Sequence, residues 1–360
     1  MTLESPVVPF PLRKNIAAIA GYTPGEQPQV GEFIKLNTNE NPYPPSPRVL
    51  SALRRAVNPS LRLYPAPLSD GLRNLAANVY GGGADNVLAG NGSDELLAIL
   101  ARCLVGKGDR VVYPVPTYTL YDTLIAIQEG EKVAVEFPPD FTLPEQIFSE
   151  SGNLTIVANP NSPSGTLVPL EQIERLARAV SGVLVVDEAY IDFAEGDNVS
   201  AIQLIPRHSN LVVLRSFSKA FSLAGMRVGL AFAPEEIIQA MIKIKDSYNL
   251  NSLSLVSATA ALNDLPWMLR NVKRVQRTRK RLTQSLKKLG FTVYPSQANF
   301  ILVRRHGENL RGIYEELKRR KILVRYFDLP ALRDTLRITV GTPQETDAFV
   351  RELKVIVESM

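Results

Sequence analysis

Seven short apolar runs recur between residues 87 and 233, and stretches of helical periodicity lie between most of them. The runs fall at 87–90, 110–115, 132–137, 154–160, 183–190, 211–216 and 227–233, with helical segments at 93–105, 117–129 and 169–180. Unbroken apolar stretches such as Val183-Leu184-Val185-Val186 and Leu211-Val212-Val213-Leu214 suit strands covered on both faces. Strand and helix in alternation predict an α/β fold, a mostly parallel seven-stranded sheet flanked by helices.

The pattern changes on either side of that core. After about residue 250 a long helix over 266–289 leads into strands near 291–296, 298–305, 322–327 and 335–341, with helices at 309–320 and 344–358. This order reads as a separate, smaller α+β domain. Twelve of the 26 prolines fall in the first 67 residues, a density that forbids long helices and predicts an extended arm lying on something else. The divisions that follow are an N-terminal arm (1–35), a large domain (36–255) and a small C-terminal domain (256–360).

Charge and cysteine content narrow the function classes. The net charge of +5 suits small anionic ligands better than polymers. The most basic stretch, 270–288, carries Val272, Val275, Leu282 and Leu286 on one helical stripe, so its charges cover a solvated face. No aromatic residue interleaves with them to stack on bases, which argues against a nucleic-acid surface. Cys103 is the only cysteine and sits in an apolar helical run, as a core thiol would. No disulfide can form within the chain, which fits a reducing, cytoplasmic setting. Prolines stand where a signal peptide would need an apolar helix, and no apolar run reaches membrane-spanning length.

In open α/β sheets ligands gather beyond the carboxyl ends of the strands, and five of those ends carry unusual polar groups. The run ending at Gly90 continues Asn91-Gly92-Ser93-Asp94-Glu95 into a helix; Ser93 can cap that helix, and its free N–H groups attract an anion. Tyr118, after the second run, either stacks on a flat ring or closes the core. Asn161 lies in a proline-broken turn that is either a plain loop or a place for an amide to meet a ring hydroxyl.

The sharper signals follow. Asp187 ends a buried strand, where a carboxylate is costly unless a cation or several donors face it, and no lysine or arginine lies nearby in sequence. A protonated pyridine nitrogen would serve: at about 4 Å and an effective dielectric of about 20 the attraction is about 4 kcal/mol, roughly three pKa units. Metal binding by Asp187 and Glu188 is the rival, but no histidine or third carboxylate is spaced to complete a site. The sixth run continues Ser216-Phe217-Ser218-Lys219 and on to Arg227, so hydroxyl and guanidinium donors flank one lysine. A phosphate needs several such donors, each charge-assisted bond contributing about 1.5–3 kcal/mol. A lysine near cationic groups in a partly dry pocket loses its proton more readily and can attack a carbonyl.

Taken together, these segments resemble the fold-type-I pyridoxal-phosphate-dependent aminotransferases over nearly the whole chain. Asn39-Glu40-Asn41-Pro42-Tyr43 and Leu336-Arg337-Ile338-Thr339-Val340-Gly341 resemble, within them, the branch acting on histidinol phosphate. The resemblance implies that Lys219 holds pyridoxal 5′-phosphate as a Schiff base and moves the proton between Cα and C4′. It implies that Asp187 pairs the ring nitrogen, that Asn161 and Tyr190 bind the ring hydroxyl, and that Tyr118 stacks on the ring. Gly92, Ser93, Ser216, Ser218 and Arg227 would hold the phosphate, and Tyr64 would reach it from the partner subunit of a homodimer. Asn41, Arg325 and Arg337 would contact substrate, and Tyr22 would cross to the other subunit's substrate phosphate. The implied reaction exchanges an amino group between L-histidinol phosphate and 2-oxoglutarate, giving glutamate, in histidine biosynthesis. An aromatic amino-acid aminotransferase or a threonine-phosphate decarboxylase of the same fold is the alternative.

Readings from other classes find less support. A regulator built on the same cofactor site needs a DNA-binding segment, and no helix-turn-helix fits in the proline-rich arm. The hydrolase elbow G-x-S-x-G and the nucleotide loops G-x-G-x-x-G and G-x-x-x-x-G-K-[ST] are missing. Both histidines, His208 and His306, stand in polar stretches and read as surface residues.

Overall fold

In the computed structural model residues 10–22, 25–27 and 33–359 are described. A two-residue strand, β1 (Ile34–Lys35), precedes the main sheet. That sheet comprises β2 (Val87–Gly90), β3 (Arg110–Val115), β4 (Glu131–Glu136), β5 (Leu154–Ala158), β6 (Val183–Asp187), β7 (Leu211–Ser216) and β8 (Gly229–Phe232). Their spatial order is β2-β8-β7-β6-β5-β3-β4. Every pair is parallel except those made by β8, which runs against both β7 and β2. The segment joining β7 to β8 holds only a three-residue helical turn, Ala224–Met226, too little for a parallel crossover.

Alternation along the strands explains why both faces are covered. On β6, Val185 packs into one apolar cluster while Leu184 and Val186 pack into another; on β7, Val212 and Leu214 oppose Leu211 and Val213 in the same way. Each such side chain contributes about 1.5–3 kcal/mol by burial. Edge strand β4, in contrast, is largely exposed. Cys103 lies half-buried against the second cluster, where burial pushes its thiol pKa up.

The helix Leu265–Lys288 buries Val272, Val275, Leu282 and Leu286 along the expected stripe. One of its basic residues departs from the solvated face: Arg279 is buried and donates to the carbonyls of Phe193 and Ala298. Beyond it, β9 (Thr292–Val293), β10 (Phe300–Arg304) and β12 (Thr335–Thr339) form an antiparallel sheet. The remaining strand, β11 (Ile322–Leu323), pairs in parallel with β1 of the arm. Only Arg325, just past it, bridges to Arg337 of β12, so β11 links the arm to the small sheet.

The proline-rich start is less extended than expected. Pro47–Ala56 is a ten-residue helix; Pro47 opens it where a missing N–H costs nothing, and Ser46 Oγ accepts from Arg48 N–H at 3.0 Å. The arm helix Lys14–Ala18 rests on the end of helix Leu120–Ile127, whose carbonyls at 126 and 127 accept from Asn15 Nδ2 at 2.9 and 3.1 Å. No helix among the described residues is long and apolar enough to cross a membrane. His208, expected at the surface, has a nearly buried side chain 3.5 Å from Glu174.

Candidate active site

A cavity of about 260 Å³ opens beyond the carboxyl ends of β5, β6 and β7, roofed by residues from the arm and from β12. Asp187, the last residue of β6, is at its floor and is buried. Its carboxylate accepts from Tyr121 Oη at 2.9 Å and from Ala189 N–H at 3.2 Å, both neutral donors. Burial outweighs these bonds and pushes the carboxyl up to about 6. No cation contacts this acid among the described residues, and the Lys219 charge in the cavity does not offset its burial. Glu188, the rival metal ligand, is buried and points to Arg215 3.5 Å away, so it does not converge with Asp187.

Lys219 follows β7 and lines the same cavity. Its Nζ donates to the carbonyl of Thr38 at 3.3 Å and stands 5.5 Å from the centroid of the Tyr190 ring. Tyr190 is itself fixed: its Oη accepts from Asn39 Nδ2 at 3.1 Å and its ring meets Phe300 edge-on. Tyr118 lies edge-on to Tyr121 and Tyr22, and donates to Asp94 at 3.3 Å.

Between the first helix of the sheet and the β7–β8 turn lies a cup of donors. Ser216 and Ser218 are buried; Ser216 Oγ accepts from Ser218 N–H, and Arg227 Nη1 donates to Ser218 Oγ at 3.3 Å. Arg227 adopts a left-handed conformation, φ 51°, which aims its guanidinium back at Asp94. Ser93 lines the cup but is the first residue inside helix Ser93–Leu104; Gly92 takes the cap position assigned to it from sequence. Gly92 has φ +84°, and a Cβ there would meet Arg227 at 2.6 Å. A Cβ on Gly229 would meet backbone atoms of Gly92 and Ser93, also at 2.6 Å. Gly229→Ala is therefore expected to push the cup open at a cost of about 1–3 kcal/mol, weakening an anion there about 10- to 100-fold. Equilibrium titration of the variant with the phosphorylated ligand checks this.

Arg325 and Arg337 line the opposite wall. Arg337 Nη1 donates to Ser162 Oγ at 3.0 Å and Nη2 to the carbonyl of Asn37 at 2.9 Å, while its buried Nε has no partner among the described residues. Burial, with the like charge of Arg325, lowers its pKa. Its plane lies 5.2 and 5.5 Å from the rings of Phe300 and Phe327.

Four sequence candidates lie outside the cavity lining. Besides Gly92, Asn161 is buried behind it, with its amide engaged by Thr117, Ser164 and the Pro116 carbonyl. Asn41, expected on substrate, instead donates to the carbonyls of Lys219 and Ala220 and braces the lysine turn. Tyr64 is 79 % exposed and stacks on Tyr248. Tyr22 lines the cavity within its own chain. Sequence reasoning missed Thr38, Glu40, Asp94 and Tyr121. Tyr121 was findable, since a tyrosine on an apolar helix needs a partner for its hydroxyl.

Comparison with known proteins agrees with this geometry. A sequence profile of the aminotransferase class I and II family matches residues 31–353. The chain is 43% identical over 344 residues to histidinol-phosphate aminotransferase 1 of Trichormus variabilis, spanning 95% of this chain and 97% of that one. It is 44% identical to histidinol-phosphate aminotransferase of Citrifermentans bemidjiense, over 95% of this chain and 97% of the relative. Among solved structures, histidinol-phosphate aminotransferase of Sinorhizobium meliloti, in complex with pyridoxal-5′-phosphate, superposes with a TM-score of 0.85. That match has 27% identity and covers 90% of this chain and 91% of the other. The chain belongs to the aminotransferase class I and II family.

Proposed function

We propose that the chain is a pyridoxal-phosphate-dependent aminotransferase exchanging the amino group of L-histidinol phosphate with 2-oxoglutarate, a step of histidine biosynthesis. The observation that carries this reading is one cavity lined by a lysine, a buried acid with no cation in contact with it among the described residues, and a cup of hydroxyl and guanidinium donors. The cofactor needs all three: an amine for its aldehyde, an anion for its ring nitrogen and donors for its phosphate. Ser93, Ser216, Ser218 and Arg227 would hold the phosphate, with Gly92 and Gly229 letting the backbone approach. Asp187 would keep a proton on the ring nitrogen, Tyr118 would stack on the ring, and Tyr190 with Asn161 would serve the ring hydroxyl.

When bound, the cofactor supplies an electron-withdrawing ring that acidifies the Cα–H of the amine condensed with it. Lys219 Nζ would take that proton from Cα and return it at C4′. Asn41 keeps the lysine turn in place through the Lys219 and Ala220 carbonyls. Arg337, with Arg325 beside it, would receive the anionic end of either substrate, phosphate or carboxylate; its unfilled Nε supports that role. Arg337→Ala is expected to raise KM for both substrates about 10- to 100-fold, and Arg337→Lys to recover little of it, as initial rates would register.

The arm (1–35), large cofactor-binding domain (36–255) and small domain (256–360) are part of the same reading. So are a homodimer, in which Tyr64 reaches the partner's phosphate, and a cytoplasmic location. Val57, Leu61, Leu63 and Tyr64 stand exposed together, which favours the dimer. The test is a half-reaction: mix holoenzyme with L-histidinol phosphate and follow the visible absorbance of the cofactor as it converts to its amine form. L-phenylalanine and O-phospho-L-threonine serve as comparators. Faster turnover of either overturns the substrate assignment, and release of carbon dioxide overturns the reaction class.

A further inference from the structure

Three cavity residues each have a buried or nearly buried charged neighbour that the reaction does not use. Glu188 follows Asp187, Arg215 precedes Ser216, and Asp192 lies two residues beyond Tyr190. Successive side chains on a strand point to opposite faces, so Asp187 and Ser216 line the cavity while Glu188 and Arg215 meet behind it. Arg215 Nη1 is 3.5 Å from Glu188 Oε2, and its Nη2 donates to Asp192 Oδ1. The guanidinium lies 4.9 Å over the ring of Tyr80. Glu188 is wholly buried; its oxygens accept from Ser200 Oγ and Ala201 N–H, each at 2.6 Å.

We infer that Arg215, clamped between Glu188 and Asp192, is a positioning residue that fixes Asp187, Tyr190 and the Ser216–Lys219 turn relative to one another. The inference rests on the reading of the cavity as a cofactor site and concerns how that site is held. Stability alone gives weak reason for such a cluster, because well-packed apolar side chains replace buried ion pairs at little or no cost. What apolar packing does not supply is direction. The guanidinium fork faces carboxylates from two different segments, one just past the end of β6 and one in the turn after Tyr190, and itself belongs to β7. A catalytic constellation loses rate steeply when its members shift by even about an ångström, so a rigid tie between these segments has a direct use.

Four variants test this: Glu188→Gln, Arg215→Lys, Arg215→Met, and a triple change of Arg215→Met, Glu188→Met and Asp192→Leu that refills the space with apolar groups. For each, thermal midpoint, pyridoxal-phosphate dissociation constant, and the pH midpoint of the bound cofactor's visible band are measured. Glu188→Gln and the triple variant are expected to stay folded, to bind cofactor about 10-fold or more weakly, and to titrate at a shifted pH. Arg215→Lys should recover part of what Arg215→Met loses. Should Arg215→Met not fold, Glu188→Gln and the triple variant still decide. An unmoved band midpoint in both overturns the inference, whatever happens to the thermal midpoint. Failure of the unaltered chain to bind cofactor overturns the functional reading instead.

Discussion

Lys219→Ala is expected to abolish covalent retention of pyridoxal phosphate and to lower kcat/KM with L-histidinol phosphate by about 10⁴-fold or more. Among the described residues no second amine lines this cavity: the other cationic groups there are the guanidinia of Arg227, Arg325 and Arg337, which neither condense readily with an aldehyde nor give up a proton. The alanine variant keeps Asp187 and the phosphate cup, so it should still bind the cofactor, reversibly and with an altered visible spectrum. Among the described residues the Lys219 side chain makes one hydrogen bond, to the Thr38 carbonyl, and the thermal midpoint should move little. Spectra, dialysis and initial rates together separate lost chemistry from lost folding. Activity above about one per cent of the unaltered enzyme would contradict the assignment.

Asp187→Asn carries the second large effect, and it has two opposite signs. Without the carboxylate the ring nitrogen loses about 4 kcal/mol of support for its proton, so transamination should slow about 1000-fold. The cofactor-free variant should at the same time be the more stable protein above neutral pH. Burial raises the Asp187 carboxyl to about 6, against roughly 3.9 in an unfolded chain, so the native state binds the proton more tightly. The stability this lends is full below the ordinary carboxylate range and is lost as pH rises through about 6, a difference of about 3 kcal/mol. Asparagine removes that loss. Thermal midpoints of both cofactor-free proteins should therefore diverge near pH 8 and converge near pH 4. A variant that is less stable at both would show that the acid is already satisfied by Tyr121 and Ala189.

What the sequence disclosed and what it withheld follow from how locally each feature is encoded. The strands β5 to β7 were legible because each is built on a run of apolar residues, and Asp187 and Lys219 were legible because they end or follow such runs. The reversed direction of β8 was less so: it depends on the short turn after β7, not on any property of residues 229–232. Which strand β11 joins was not legible, because its apolar pattern is the same whichever it pairs with. Ser93 reads as a cap until the backbone shows the helix already begun. Thr38, Asn39 and Glu40 reach the cavity from a segment far earlier in the chain, and only tertiary contact reveals them. The buried positions of His208 and Arg279 are likewise set by packing partners distant in sequence, Glu174 for one and the carbonyls of Phe193 and Ala298 for the other.

The most direct measurement is chemical. Reduce the holoenzyme with borohydride, digest it, and map the peptide carrying the pyridoxyl mass. The tag belongs on Lys219, with its yield at neutral pH falling sharply in Asp187→Asn. A tag on a different lysine, or none at all, contradicts the assignment of this cavity.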